Sequence, residues 1–152
     1  MSIKNMAGTG TSGITPVNGQ LVKRIDLANL KDYNGDDIVL ESGDVLQVFN
    51  INAGAEVSHV RVDVVEPLAE ATVKIGDAAD DDRYLQAKSI ASAGTIYGDG
   101  STGVAPDSMV KHFYASNGAI LLGGSGIGSA ASGKLDIVIG YQDFAIPQNL
   151  NV

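Results

Sequence analysis

The amino-acid sequence predicts an all-β protein: an antiparallel β-sandwich, jelly-roll-like, preceded by an extended N-terminal arm. Three observations carry this expectation. Asp44 to Asp77, DVLQVFNINAGAEVSHVRVDVVEPLAEATVKIGD, holds three runs of β-prone residues separated by two short breaks. No long run of Leu, Glu, Lys and Ala recurs at helical spacing, while glycine reaches 19 residues and aromatics only 5%, as in chains of short strands joined by turns. About eight strand segments can be counted, at the spacing of antiparallel sandwiches and jelly rolls.

Taken in order, residues Met1 to Asn18 are rich in Gly and Thr and end near Pro16, too poor in apolar area to order themselves. They read as an arm. Residues 1–40, if extended, would reach on the order of 130 Å, against a radius of about 13 Å for a 100-residue core. Gln20 to Leu30 (QLVKRIDLANL) suits a strand through Leu21, Ile25 and Leu27, or a short helix through Val22, Ile25 and Asn29; the strand is preferred. Turns are expected at Asn34-Gly35 and Ser42-Gly43.

The sandwich proper is expected over residues 41–146, with 1–40 as arm and first strand and 147–152 as a tail. Its centre is a meander. In Glu56 to Glu66 the alternation is strict, with Val60, Val62 and Val64 on one face and His59, Arg61 and Asp63 on the other. Val45, Phe49 and Ile51 before it, and Val73 and Ile75 after it, supply neighbouring strands. Further strands are expected at Arg83 to Ala87 and Thr95 to Tyr97. Asn117-Gly118 between VKHFYA and AILL predicts a hairpin. Gly123 to Gly133 reads as a connection, and Lys134 to Asp143 as the closing strand, with Leu135, Ile137, Ile139 and Tyr141 on one face.

Composition bounds the chemistry. A formal charge of −8 disfavours nucleic acid, whose binding draws on Lys and Arg to neutralise phosphates. With no cysteine, disulfides and thiolate metal sites are excluded. Neither a secretory signal nor an apolar run long enough for a membrane span is visible, so synthesis in the cytoplasm is expected. A mean hydropathy of +0.10 with few aromatics suggests apolar surface covered by partner chains and hence a homo-oligomer.

The chemical motifs are weak. Asp77, Asp80, Asp81 and Asp82 cluster in one loop, and Asp77, Asp80 and Asp82 are the alternative for a hard cation. The spacing lacks the register, the mid-loop Gly and the distal Glu of the helix-loop-helix calcium site, and a solvated connection is the preferred reading. Tyr97-Gly98-Asp99-Gly100 is weighed the same way. Gly123 to Gly128 (GGSGIG) lacks the flanking helix of a dinucleotide site and the Gly-Lys-Ser/Thr of a P-loop. His59 and His112 are tied to no local catalytic motif. Lys23-Arg24 reads as a solvated or salt-bridging pair. No catalytic residue and no cofactor is expected.

VLQVFNINAGAEVSHVRVDVVEP followed by ATVKIGDAADDDRYL, together with the Leu135 to Tyr141 strand, resembles small structural proteins of tailed-bacteriophage virions. In those a valine-alternating hairpin precedes a V-x-I/V-G-D and D-x-D-x-Y/F-L strand and loop, and an L-x-I-x-I-x-Y strand ends the domain. The resemblance implies a capsid decoration or cement protein, often a trimer, whose partner is the major capsid protein at the virion surface. Ile14, Leu21, Val22 and Ile25 on the arm are then the expected clamp on neighbouring shell subunits. The alternative is a carbohydrate- or receptor-binding sandwich of a fibre or cell surface, with Tyr97 and Tyr114 as platforms; the absence of Trp counts against it. A metal-dependent enzyme would need two or three His with a carboxylate converging on one site, and the two histidines here fall on separated strands.

Overall fold

The computed structural model describes residues 2–8, 19–101, 110–128 and 130–144. Among the described residues, ten strands build two sheets: β1 (Ile3–Asn5), β2 (Gln20–Asp26), β3 (Val45–Ile51), β4 (Ala55–Glu66), β5 (Thr72–Gly76), β6 (Leu85–Ser89), β7 (Gly94–Tyr97), β8 (His112–Tyr114), β9 (Gly118–Ser125) and β10 (Lys134–Asp143). One sheet runs β1-β3-β9-β5-β6 and the other β2-β10-β4-β7, with β8 also pairing β4. Among the described strands, all strand-to-strand pairings are antiparallel except β1 with β3. The expected all-β sandwich is the observed architecture.

Its core is what the alternation foretold. Val60, Val62 and Val64 from β4, and Leu135, Ile137, Ile139 and Tyr141 from β10, are buried against Leu46, Ile51, Val73, Ile75, Ile120 and Leu122 of the facing sheet. Each fully buried aliphatic side chain contributes about 1.5–3 kcal/mol relative to exposure, so this interior is the main source of stability.

The connections depart from the expected meander. β3 and β5 lie in one sheet, on either side of β9, while β4 lies between β10 and its short neighbours in the other. The Asn52-Ala53-Gly54 break therefore carries the chain across the sandwich, with Gly54 at φ 87°. Among the described strands, β5 and β6 are the consecutive pair that also bond to each other. The hairpin expected at Asn117-Gly118 is corrected for the same reason. β8 pairs β4, whereas β9 pairs β3 and β5, and Asn117 Oδ1 instead accepts the Ala53 N–H at 2.8 Å.

Residues 123–125, expected in a loop, continue β9. Gly124 sits at φ +153°, where a Cβ would lie 1.9 Å from the Thr72 carbonyl oxygen, so glycine allows the close pairing with β5 here. Within residues 1–40, expected as arm and first strand, β2 is the strand preferred for Gln20 to Leu30, and it adds to β10. The arm is less free than expected: β1 adds to β3, and Leu27, Leu30 and Leu40 enter the core. Residues 9–18 and 145–152, including Ile14 and the expected tail, lie outside the described residues.

Candidate functional site

Two places gather polar or exposed side chains in an organised way. One is a latch between the sheets; the other is the outward face of the β2-β10-β4-β7 sheet.

The latch begins in the loop after β5. The Asp77 carboxylate is 6% exposed and turns back on its own loop, with Oδ1 accepting the Ala79 and Asp80 N–H groups at 3.0 Å each. Its Oδ2 takes Arg83 Nε at 2.6 Å and the Tyr114 hydroxyl at 2.9 Å. Since Tyr114 spends its proton on Asp77, the Tyr84 hydroxyl, 2.6 Å away, donates to Tyr114. Asp77, Arg83 and Tyr84 belong to the β5–β6 loop of one sheet and Tyr114 to β8 of the other, so this chain ties the layers together. His112 completes it: Arg83 Nη1 donates to Nδ1 at 3.4 Å, and the ring stands edge-on to Tyr114 with centroids 4.8 Å apart.

The electrostatics follow. Burial pushes the Asp77 carboxyl up, but the hydrogen bonds from Arg83, Tyr114 and the Ala79 amide, with the Arg83 charge, outweigh it and hold the group below the usual range. Burial raises the Tyr84 and Tyr114 hydroxyls well above the ordinary tyrosine value. Burial and the neighbouring Arg83 charge lower His112, consistent with a neutral ring accepting at Nδ1.

These contacts decide the expected cation site. Asp77 is committed to its loop, Arg83 and Tyr114, and is not part of the carboxylate group formed by Asp80, Asp81 and Asp82, whose oxygens lie within 4.8 Å of one another. Asp81 pairs with Lys74, and burial with the adjacent Asp80 carboxylate raises Asp82. Of the trio Asp77, Asp80 and Asp82, Asp80 and Asp82 lie together, while Asp77 is held by Arg83 and Tyr114. Asp99 likewise serves the fold, accepting the Gln86 N–H at 3.0 Å and pairing with Lys88 at 2.6 Å. Of the two expected sugar platforms, Tyr114 is buried in the latch and Tyr97 is 60% exposed. His59 and His112 are not brought together: His59 contacts Ser58 and Gln20, and His112 faces Arg83.

The outward face of the second sheet is built by register. Val138 is opposite Val22 on one side and Arg61 on the other, and Arg61 is opposite Tyr97. These residues form one row across four strands. The next row is Arg24, Asp136, Asp63 and Thr95. Within it Arg24 grips Asp136 through Nε and through Nη2 at 3.0 Å, and Thr95 Oγ1 donates to Asp63 at 2.9 Å. Arg61 lies 3.4 Å from Asp63. Beyond, Glu56 is opposite Phe113. Val138 is buried although it points outward, whereas Val22, Tyr97 and Phe113 stand exposed.

The four expected clamp residues fare differently. Ile25 is wholly buried in the chain's own core, and Leu21 is half-buried against it. Their inward direction follows from pairing with Leu135 and Ile139. Val22 points outward. The inter-sheet latch had no sequence signal, because Tyr114 is 30 residues from Tyr84 and 37 from Asp77. No helix among the described residues is long and apolar enough to cross a membrane.

No protein-family model and no curated protein sequence matches this chain. Solved structures do. The fold is similar to a chain in the capsid of Ralstonia phage GP4, with a TM-score of 0.53 and 13% identity over 94% of this chain and 97% of that one. It is also similar to a chain in the capsid asymmetric unit of cyanophage Pam1, with a TM-score of 0.51 and 16% identity over 88% and 92%.

Proposed function

We propose that this chain is a structural protein of a bacteriophage virion, which decorates and stabilises the outside of the capsid by binding across neighbouring major capsid subunits. The observation that carries the reading is the extent of the fold likeness: it runs through nearly the whole of this chain and of the GP4 and Pam1 capsid chains alike, so the match is to a complete component rather than to a shared substructure. The strand order supports a jelly roll, since eight of the ten strands form two interleaved four-stranded sets, β2-β10-β4-β7 and β3-β9-β5-β6. The role is mechanical and non-enzymatic. The protein is made in the host cytoplasm and acts as a homo-oligomer, a trimer being the form that the resemblance implies. Of the expected clamp residues, Val22 is the described one that faces outward.

The test is co-sedimentation of the purified full chain with capsids of its own phage that lack it. The expected result is saturable binding in fixed ratio to the major capsid protein, with shells more resistant to heat. A chain that stays in the supernatant at every ratio overturns the reading.

A further inference from the structure

We infer that the outward face of the β2-β10-β4-β7 sheet is the surface on which a second copy of this chain docks. Three observations lead there. The face is continuous, because Val22, Val138, Arg61 and Tyr97 fall in one register across four strands. The four strands, of seven, ten, twelve and four residues, give on the order of 500 Å² at about 4.8 Å between strands and about 3.3 Å per residue, the larger part of the ~800 Å² per partner of a standard interface. Its exposed apolar groups stand apart: Val22 is 59% exposed and Tyr97 60%. Val138 lies between β2 and β4 as a closed apolar floor.

Charge selects the occupant. The chain carries −8, and two copies brought together through acidic surfaces repel, at a cost of several kcal/mol where like charges meet. In the two central rows the charges are Arg24, Arg61, Asp63 and Asp136, and they cancel by pairing among themselves. Beyond those rows the face carries Glu56, opposite Phe113, while much of the acidic excess lies in loops such as 32–37 and 80–82. A partner recruited by charge would call for a single-sign patch; a surface with its ion pairs internally closed is what an acidic protein needs to meet its own copy.

The pairing edges do not compete with this face. β1, β6 and β7 are short, and the long edge strand β2 points Lys23 inward, where Nζ donates to the Met6 carbonyl at 3.2 Å. Inward charges and short strands are how proteins keep edges from pairing. Self-association is thus assigned to the face of the sheet and not to strand addition. This surface belongs to the self-association part of the function proposed above, and its test uses no shells, so the two can fail separately.

The experiment measures the mass of the full chain by sedimentation equilibrium over a wide concentration range, for the wild type and for Val22→Glu, Tyr97→Glu and Val39→Glu. Val39 is 67% exposed but lies off this face. All three side chains are exposed, and an unchanged melting temperature checks that each variant folds. The wild type and Val39→Glu are expected to associate alike, with Val22→Glu and Tyr97→Glu weakened by roughly tenfold or more, because each buries an unpaired charge. A wild type that is monomeric throughout, face variants that associate like the wild type, or equal weakening by Val39→Glu each overturns the assignment.

Discussion

Two aspartates each fasten a short peripheral strand, and they do so by opposite means. Asp77 holds β8 to the far sheet through side chains: Arg83, Tyr114 and, through Tyr114, Tyr84. Asp44 holds β1 to β3 largely through backbone, accepting the Ser2 N–H at 2.8 Å and the Glu41 N–H at 3.1 Å, with Lys4 3.6 Å away. The Glu41 and Ser2 amides bring its carboxyl down to about 2. The difference teaches that a depressed carboxyl is not by itself a measure of structural weight. What counts is which groups are stranded when it goes. Loss of Asp77 leaves buried hydroxyls and a guanidinium facing one another, whereas loss of Asp44 frees amides that water can reach.

The comparison can be broken by mutation. Asp77→Ala should lower unfolding free energy by about 3 kcal/mol, at the lower end for a broken buried pair because Arg83 is a quarter exposed; urea denaturation reads it, and a change below about 1 kcal/mol would sink the latch. Tyr114→Phe should cost about 1–2 kcal/mol, since the Tyr84 hydroxyl then loses its acceptor, measured the same way.

Acid sharpens the contrast further. Asp44 has a folded pKa of about 2, below its unfolded value of ~3.9, so its contribution is complete above the unfolded value and is lost as pH falls toward 2. Amide exchange of Ile3 to Asn5 should therefore accelerate across that window in the wild type, and Asp44→Asn should show fast exchange with no such transition. His112 acts at milder pH. Its folded pKa lies below the ordinary imidazole value, so the unfolded chain binds the proton first and stability declines as pH drops below ~6.5. The groups facing it are Arg83, Asp77 and Tyr114, and Arg83 loses its acceptor when the ring is protonated. His112→Gln should flatten the dependence of melting temperature on pH there; an unchanged slope would count against the assigned Nδ1 contact. The smallest effect is expected at the exposed Lys31 to Asp37 pair, where Asp37→Asn should leave the melting temperature nearly unmoved.

How much was legible follows from where the information sits. β4 and β10 were readable because period-two alternation over ten or more residues has one explanation. Their partners were not, because the same alternation fits a neighbour in the same sheet or a facing layer. Asn117-Gly118 misled for a related reason: its turn chemistry is real, but its side chain caps Ala53 and the chain passes between sheets. Glycine hid the end of β9, where Gly124 permits a pairing that a Gly-rich composition argues against. Ile25 was legible as a strand residue but not as a core one, since the Gly/Thr-rich stretch ahead of it suggested that the whole leader stood free. The outward row from Val22 to Tyr97 draws on four strands and exists only once their registers are known.

The lacing of the sheets has a last consequence, for synthesis. β10, near the end of the chain, occupies the interior of its sheet between β2 and β4, and β9 does the same between β3 and β5. Until the ribosome has released both, the earlier strands lack the neighbours that complete their ladders. Completion of both sheets therefore waits for β9 and β10 and is dominated by pairings between strands distant in sequence.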